Sequence, residues 1–414
     1  MTGHQDSEPP SLLTHVRIEG FRTLKSARFS PGPVTALVGE PGTGKSNLLA
    51  AVRAVLDPDN APLTSEDIAR TGTGPIRITV ETTHQGSSMI HWAPPDSQIR
   101  EETTTPPVVF MPAALRADQL IASPVPSDLA SARVDRPVGA QPTTSLGAHR
   151  GSAHQLGSAQ AARTLVTVVE EWTAGGKSGT VVLIEEPELF LSPQIQRYLY
   201  RLLRRFTAAG NQVLYSTHSP SFLNVARLHE LVLTDHHTET GTSLTQPEPV
   251  PADDEFRAYS EFDATRSEIF LARAAILVEG QSERLALPFV FHALGYDPDR
   301  EGISIIECGG KPNIPVIARV AKAVGVPFLA VHDRDAPRGK KPNQAEQHLN
   351  RLIGEIAGRN RVELTPDFEG VAHLRGHSKH KPARAWRSFA DHQADDLPGE
   401  LVRIVHRAVE LARR

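Results

Sequence analysis

Gly39-Glu40-Pro41-Gly42-Thr43-Gly44-Lys45-Ser46 fits the pattern GxxxxGK[ST], after an apolar run and before an amphipathic one. Glycines let consecutive backbone N–H groups wrap a phosphate, and the N-terminus of the following helix faces its charge. In such a loop Lys45 reaches the β- and γ-phosphates and Ser46 binds Mg²⁺. The candidate nucleotide contacts are Gly39, Glu40, Pro41, Gly42, Thr43, Gly44, Lys45, Ser46 and Asn47. Downstream, the apolar run Thr180–Ile184 delivers Glu185 and Glu186 in succession. Glu185 is expected in the Mg²⁺ shell, and Glu186 is expected to polarise the attacking water. The alternative is an acid pair favoured by a helix N-terminus. Ser216-Thr217-His218-Ser219-Pro220 closes the next apolar run, and His218 there can contact the γ-phosphate region and sense hydrolysis.

A second set of acids lies further along. Glu279 follows the apolar run Ile276–Val278, and Glu283 comes four residues later, after a glycine turn. If a helix starts near Gln281, Glu283 faces the same place as Glu279. Fifty-four residues after Glu279, Asp333 and Asp335 follow the run Pro327–Val331. Alternation in an extended segment points those two carboxylates the same way. Hard oxygen ligands of this kind select Mg²⁺ or Mn²⁺ over zinc. Each acid group alone is a common turn or a chance pair; together they form one candidate metal site.

These residues need a particular scaffold. Strands are expected at 15–21, 34–38, 76–80, 108–111, 180–184 and 213–216, with helices after the glycine loop, at 154–174 and at 193–209. Leu48, Leu49, Val52, Val55 and Leu56 form the apolar face of the first helix. A second rhythm starts at Ala274, with strands 275–278, 303–306 and 327–331. Its helices fall near 281–294, 313–324, 343–357 and 398–414. Strands alternating with helices imply an α/β fold with parallel sheets, whose sites lie at the C-terminal strand edges. The expected division is 1–256, a connecting helix over 257–273, and 274–414. Residues 94–107 and 117–153, rich in Pro, Ser, Thr and Ala, read as flexible insertions, and 236–256 as a polar tail to the first half.

Composition narrows the possibilities. With 414 residues, 39% hydrophobic and 22% charged, the chain has material for two folded domains. A net charge of −4 excludes a histone-like binder, so any nucleic-acid contact needs a local basic surface. The single cysteine, Cys308, excludes an internal disulfide and a multi-cysteine metal site. The polar opening Met1–Pro10 lacks a secretory apolar core, and no run of 18 apolar residues occurs, so a cytoplasmic protein without membrane contact is expected.

The first set of motifs resembles the ATPases of the ABC/SMC/RecF group. The opening His15-Val16-Arg17-Ile18-Glu19-Gly20-Phe21, the run Glu185–Pro193 and the run Ser216–Pro220 look specifically like the OLD (overcoming lysogenisation defect) family. The second set resembles the Toprim fold shared by topoisomerases, primases and OLD nucleases. The resemblance implies an ABC-type P-loop ATPase domain followed by a Toprim domain, ATP and Mg²⁺ (or Mn²⁺) as cofactors, and DNA as substrate. It also implies further residues. Leu156-Gly157-Ser158-Ala159-Gln160 is the candidate signature loop, with Ser158 reading the γ-phosphate of an opposite head; the alternative is a helix N-cap. Glu307–Lys311 resembles the glycine turn after the second Toprim strand. Glu369 is the expected further metal-binding acid and Lys381 the lysine that assists catalysis, with Asp367 and Lys379 as rivals. Glu279, Glu283, Asp333, Asp335 and Glu369 would then share two metal ions.

The resulting expectation is an ATP-dependent, metal-dependent DNA endonuclease of OLD type that acts in phage defence or DNA processing. It would form a homo-oligomer and could have an unidentified protein partner. The alternative is an ATP-driven DNA clamp or sensor with a non-cutting Toprim domain.

Overall fold

The computed structural model describes residues 11–69, 75–83, 86–93, 97–101, 105–113, 165–176, 178–223, 225–248, 263, 265–336, 340–374, 380–390 and 396–413. They belong to two compact units, one from 1–222 and 230–244, the other from 223–229 and 245–414. The expected insertion 117–153 and the segment Leu156–Gln160, including Ser158, lie outside the described residues, as do 257–262 and 264 of the expected connecting helix, within which Arg266–Leu271 forms a 3-10 helix.

The first unit has two sheets. One is antiparallel, in the order β2 (Leu24–Phe29), β1 (Leu13–Phe21), β4 (Ile76–Thr82), β5 (Ser87–Ala93), β6 (Ser97–Glu101). The other has six strands, in the order β11 (Gly241–Thr245), β10 (Leu231–His237), β3 (Val34–Val38), β9 (Gln212–Thr217), β8 (Val181–Glu185), β7 (Val108–Met111), parallel from β10 to β7. The buried faces explain the two patterns. β4 alternates buried with exposed or partly exposed residues, as a sheet with one core face must, whereas β3 and β9 are buried along their whole length. Helix α1 (Lys45–Leu56) lies between the sheets. Leu48, Leu49, Val52, Val55 and Leu56 all enter the core, joined by Ala51 and Ala54. Helix α2 (Pro193–Ala208) packs on β3 and β9, and 165–174 is helical with Leu165, Val169 and Trp172 buried.

The sheets take in two polar segments, which corrects the reading of 94–107 as a flexible insertion. Residues 97–101 form an edge strand paired with β5, and 241–245 form the outer strand beside β10. Both sequences are polar. Edge strands face water on their free side and carry little of the apolar signal that marks a central strand.

The second unit has one parallel sheet, in the order β13 (Ile303–Glu307), β12 (Ala274–Val278), β14 (Phe328–Asp333), β15 (Arg361–Leu364). Ala274, Ile276 and Val278 share a core with Leu329, Val331, Val362 and Leu364, covered by α3 (Gln281–Ala293), α7 (Lys381–Phe389) and α8 (Gly399–Ala412). α4 (Ile314–Ala323) packs on β12 and β14 and against α5 (Gln344–Ala357), closing the other face. Short α6 (Phe368–Val371) follows β15, and Phe368 stacks toward Phe389 of α7.

Candidate functional sites

β3, β9 and β8 lie side by side and parallel, so the segments leaving their C-terminal ends meet at one edge. These segments are the glycine loop, His218 and the Glu185–Glu188 run. Gly44 caps α1 at φ 103, and a Cβ there would collide with the hydroxyl of Thr242. A Cβ on Gly39 would fall on the carbonyl and hydroxyl of Thr234. The loop is held from behind by threonines. Thr43 Oγ1 donates to the Glu40 carbonyl at 2.8 Å and lies 2.6 Å from Thr234 Oγ1, and Thr242 Oγ1 donates to the Thr43 carbonyl at 2.9 Å. The Thr43 side chain thus braces the loop against β10. Asn47 Nδ2 donates to Thr23 Oγ1 at 2.8 Å, while Ser46 is exposed.

Lys45 folds back over its own loop, donating to the carbonyls of Gly39 (2.9 Å) and Glu40 (2.8 Å). Burial pulls its ammonium down to about 8, against the opposing attraction of Glu186, Glu188 and Glu40. Glu186 is in the left-handed region (φ 45), with its N–H on the Ser216 carbonyl at 3.0 Å. Its Oε1 lies 3.9 Å from His218 Nε2. Burial and the nearby Lys45 push the His218 pKa below its usual value, which favours a neutral ring that can accept or donate. Glu185 turns elsewhere, accepting from the Ala113 N–H at 3.3 Å. Glu188 was not foreseen. Its Oε1 accepts the His218 N–H at 2.6 Å, its Oε2 is buried without a hydrogen-bond partner, and burial raises its pKa. The signal was available in the sequence, because Glu188 lies two residues beyond Glu186 in the same short run.

In the second unit, β12 and β14 are adjacent and parallel, so Glu279 and Asp333 leave the same sheet edge. Glu279 Oε1 accepts the Asp333 N–H at 2.6 Å, and Asp333 Oδ1 accepts the Phe368 N–H at 2.8 Å. Glu283, one turn into α3, is buried and faces Glu279 and Glu369. Crowding of like charges out of water shows in the proton affinities. Burial first, then Glu279 and Glu283, push Asp333 up to about 9. Burial is also the main cause that lifts Glu279 and Glu283 to about 7. Glu369 pairs with Lys381 at 3.1 Å. Asp367, its rival, caps α6 by accepting the Gly370 N–H at 2.7 Å, and Lys379 lies outside the described residues.

Strand alternation does not extend to Asp335. β14 ends at Asp333, and Asp335 adopts φ 59, so the extended repeat does not reach it. Its carboxylate is paired with Lys311 at 2.6 Å. Among the described residues no three acidic, histidine or cysteine side chains are already arranged around an ion. Each of the five expected ligands is engaged by a backbone N–H or a lysine. The donor chemistry still fits a divalent cation. Glu279, Glu283, Asp333 and Glu369 are hard carboxylates; burial and the neighbouring acids make ionisation of Glu283 and Asp333 costly, with Glu369 adding to the charge that Glu283 faces, and a divalent charge relieves that cost. Lys311 and Glu346 were also missed as members of this region; a lysine directly after the Gly309-Gly310 turn was the available signal.

Two family models match separate stretches of the chain. Residues 270–335 match the family described as overcoming lysogenization defect protein-like, TOPRIM domain. Residues 172–224 match the AAA domain described as putative AbiEii toxin, Type IV TA system. The chain is 38% identical over 230 residues to the OLD nuclease of Thermus scotoductus, a stretch covering 51% of this chain and 43% of that protein. It is 25% identical over 177 residues to the Old nuclease of Escherichia phage P2, covering 41% and 30%. The chain thus spans less than half the length of either relative. The solved C-terminal region of the Burkholderia pseudomallei OLD protein aligns with 34% of this chain and 98% of its own length, at 16% identity and a TM-score of 0.28. The chain carries an AAA-type ATPase domain followed by an OLD-like Toprim domain, bearing out the resemblance to the OLD family.

Proposed function

We propose that this protein binds and hydrolyses ATP in its first unit and cleaves DNA phosphodiester bonds at the carboxylate cluster of its second. The observation that carries the reading is that cluster: Glu279, Glu283, Asp333 and Glu369 at one sheet edge, with Lys381 beside Glu369. Glu279, Glu283, Asp333 and Glu369 would hold the divalent ions, with Asp335 joining once released from Lys311. When bound, such ions supply a water nucleophile at neutral pH and stabilise charge on the leaving oxygen. Lys381, exposed and long, reaches from the Glu369 carboxylate toward the phosphate and neutralises charge there.

In the ATPase unit, Lys45 exchanges two carbonyl partners for phosphate oxygens, and Ser46 would hold a Mg²⁺ together with Glu185 once Glu185 leaves the Ala113 N–H. Glu186 holds the attacking water, and His218 contacts the γ-phosphate. Glu188 fixes the His218 backbone. A homo-oligomer is the working assembly, because the candidate signature residue Ser158 acts on an opposite head in ATPases of this group. A role in phage defence or DNA processing follows from the same family likeness. Among the described residues no helix is long and apolar enough to cross a membrane.

The test is cleavage of supercoiled plasmid in Mg²⁺ or Mn²⁺, with and without ATP, by the native protein, Asp333→Ala and Lys45→Ala. Nicking or linearisation that disappears in Asp333→Ala supports the nuclease. No cutting in any lane, with ATP hydrolysis intact, favours the clamp or sensor.

A further inference from the structure

Lys311 is a cation inside the acidic site. It follows the turn after β13, and its side chain is only 5% exposed. Its Nζ donates to the Asp333 carbonyl at 2.6 Å, Asp335 Oδ2 at 2.6 Å and Glu346 Oε2 at 2.7 Å. Three donors meet three oxygens, so the ammonium is fully satisfied. Each partner is itself fixed. Asp333 ends β14. Asp335 is turned into position by its left-handed backbone. Glu346 sits in the first turn of α5, where Asn343 Oδ1 accepts its N–H at 2.9 Å.

We propose that Asp333 O, Asp335 Oδ2 and Glu346 Oε2 form the seat of a second cation, which the chain fills with its own Lys311 ammonium. This rests on the metal-dependent reading above and makes Glu346 an additional residue of that site. Among the described residues, a divalent ion at the Glu279, Glu283, Asp333 and Glu369 cluster meets one competing ammonium, Lys381, whose side chain is 56% exposed and free to swing into water. An ion entering the second seat must displace a buried ammonium that holds three charge-assisted or carbonyl hydrogen bonds. It must also draw the oxygens inward, because Mg²⁺–oxygen distances of about 2.1 Å are shorter than any of the three contacts. The two sites therefore fill in order, the first tightly and the second weakly. The Asp335 side chain, 41% exposed, leaves the second seat reachable from solvent.

The experiment is a Mn²⁺ titration of the full chain, followed by calorimetry and by loss of the free Mn²⁺ electron paramagnetic resonance signal. The native protein should bind one ion tightly and a second at least tenfold more weakly. Lys311→Met, which keeps the length and removes the charge, should tighten the second site at least tenfold. Glu346→Gln keeps Lys311 in place and guards against a Lys311 variant that fails to fold. It should weaken the second site further and leave the first unchanged. Two equal sites in the native protein, or a second affinity that neither variant moves, would overturn the proposal and leave the metal reading intact. If the native protein binds no Mn²⁺ that Asp333→Asn removes, both fail together.

Discussion

Replacing Asp333 with asparagine should stabilise the metal-free protein while removing the proposed cleavage chemistry. The carboxyl is held at about 9 in the fold, against an ordinary 3.8, by burial and then by Glu279 and Glu283. The neutral acid is the form the fold favours. The stability it contributes is complete below pH 3.8 and drains away as pH rises toward 9. At about 1.36 kcal/mol per pH unit, the loss reached by pH 7 is at most about 4 kcal/mol. Proton sharing with Glu279 and Glu283 lowers this, giving about 2–4 kcal/mol. The amide is neutral at every pH, and its oxygen can still accept the Phe368 N–H that Oδ1 accepts at 2.8 Å. For a unit of this size the gain corresponds to about 5–15 °C in melting temperature. The assay is thermal and urea unfolding in a chelator near pH 4, 6 and 8. The native and Asp333→Asn curves should nearly coincide near pH 4 and separate as pH rises, with the variant ahead. A variant no more stable than the native chain near pH 8 would refute the claim that crowded, buried carboxylates dominate the energetics of this site.

The ATPase unit makes its own predictions. With Lys45 titrating at about 8, the charged fraction falls from about nine-tenths at pH 7 to about one-tenth at pH 9, so ATP affinity should weaken about tenfold over that range. Fluorescent-nucleotide binding measures this, and Lys45→Ala should bind poorly throughout. Glu186→Gln should bind ATP with near-native affinity and lose at least about a hundredfold in kcat, which a phosphate-release assay reads. Gly39→Ala should lower the melting temperature and abolish nucleotide binding, because its Cβ would overlap Thr234.

How far the sequence reveals this molecule depends on where apolar residues are confined. The central strands β3, β9, β12 and β14 are buried on both faces, so they appear as unbroken apolar runs, and the residues that follow them could be named as site residues. β6 and β11 are polar edge strands and were legible only once paired. Among the site residues, Glu186, His218, Glu279, Glu283 and Asp333 follow directly from strand ends. Asp335 is not aligned with Asp333 by alternation, because period-2 alternation holds only while the chain stays extended, and the backbone turns left-handed there. Glu346 was invisible for another reason. It belongs to a helix whose amphipathic pattern marks it as a surface acid, and only the position of Lys311 brings it into the site.

The two acidic sites each hold a buried lysine, and the difference between the lysines separates their roles. Lys45 rests on two neutral carbonyls, and desolvation outweighs the carboxylates around it, so its proton affinity falls. Phosphate oxygens, which carry charge, are better partners than those carbonyls, and the exchange is favourable as soon as a nucleotide arrives. Lys311 is also desolvated, but it rests on two carboxylates and a carbonyl, which outweigh that and raise its proton affinity. No neutral ligand can improve on those partners, and an anion would have to compete with carboxylates already in contact. Lys45 is thus placed to be captured by substrate, and Lys311 to remain with the protein until a stronger cation replaces it. Changing Lys45 should therefore alter nucleotide binding and leave Mn²⁺ binding by the second unit unmoved, whereas changing Lys311 should do the reverse.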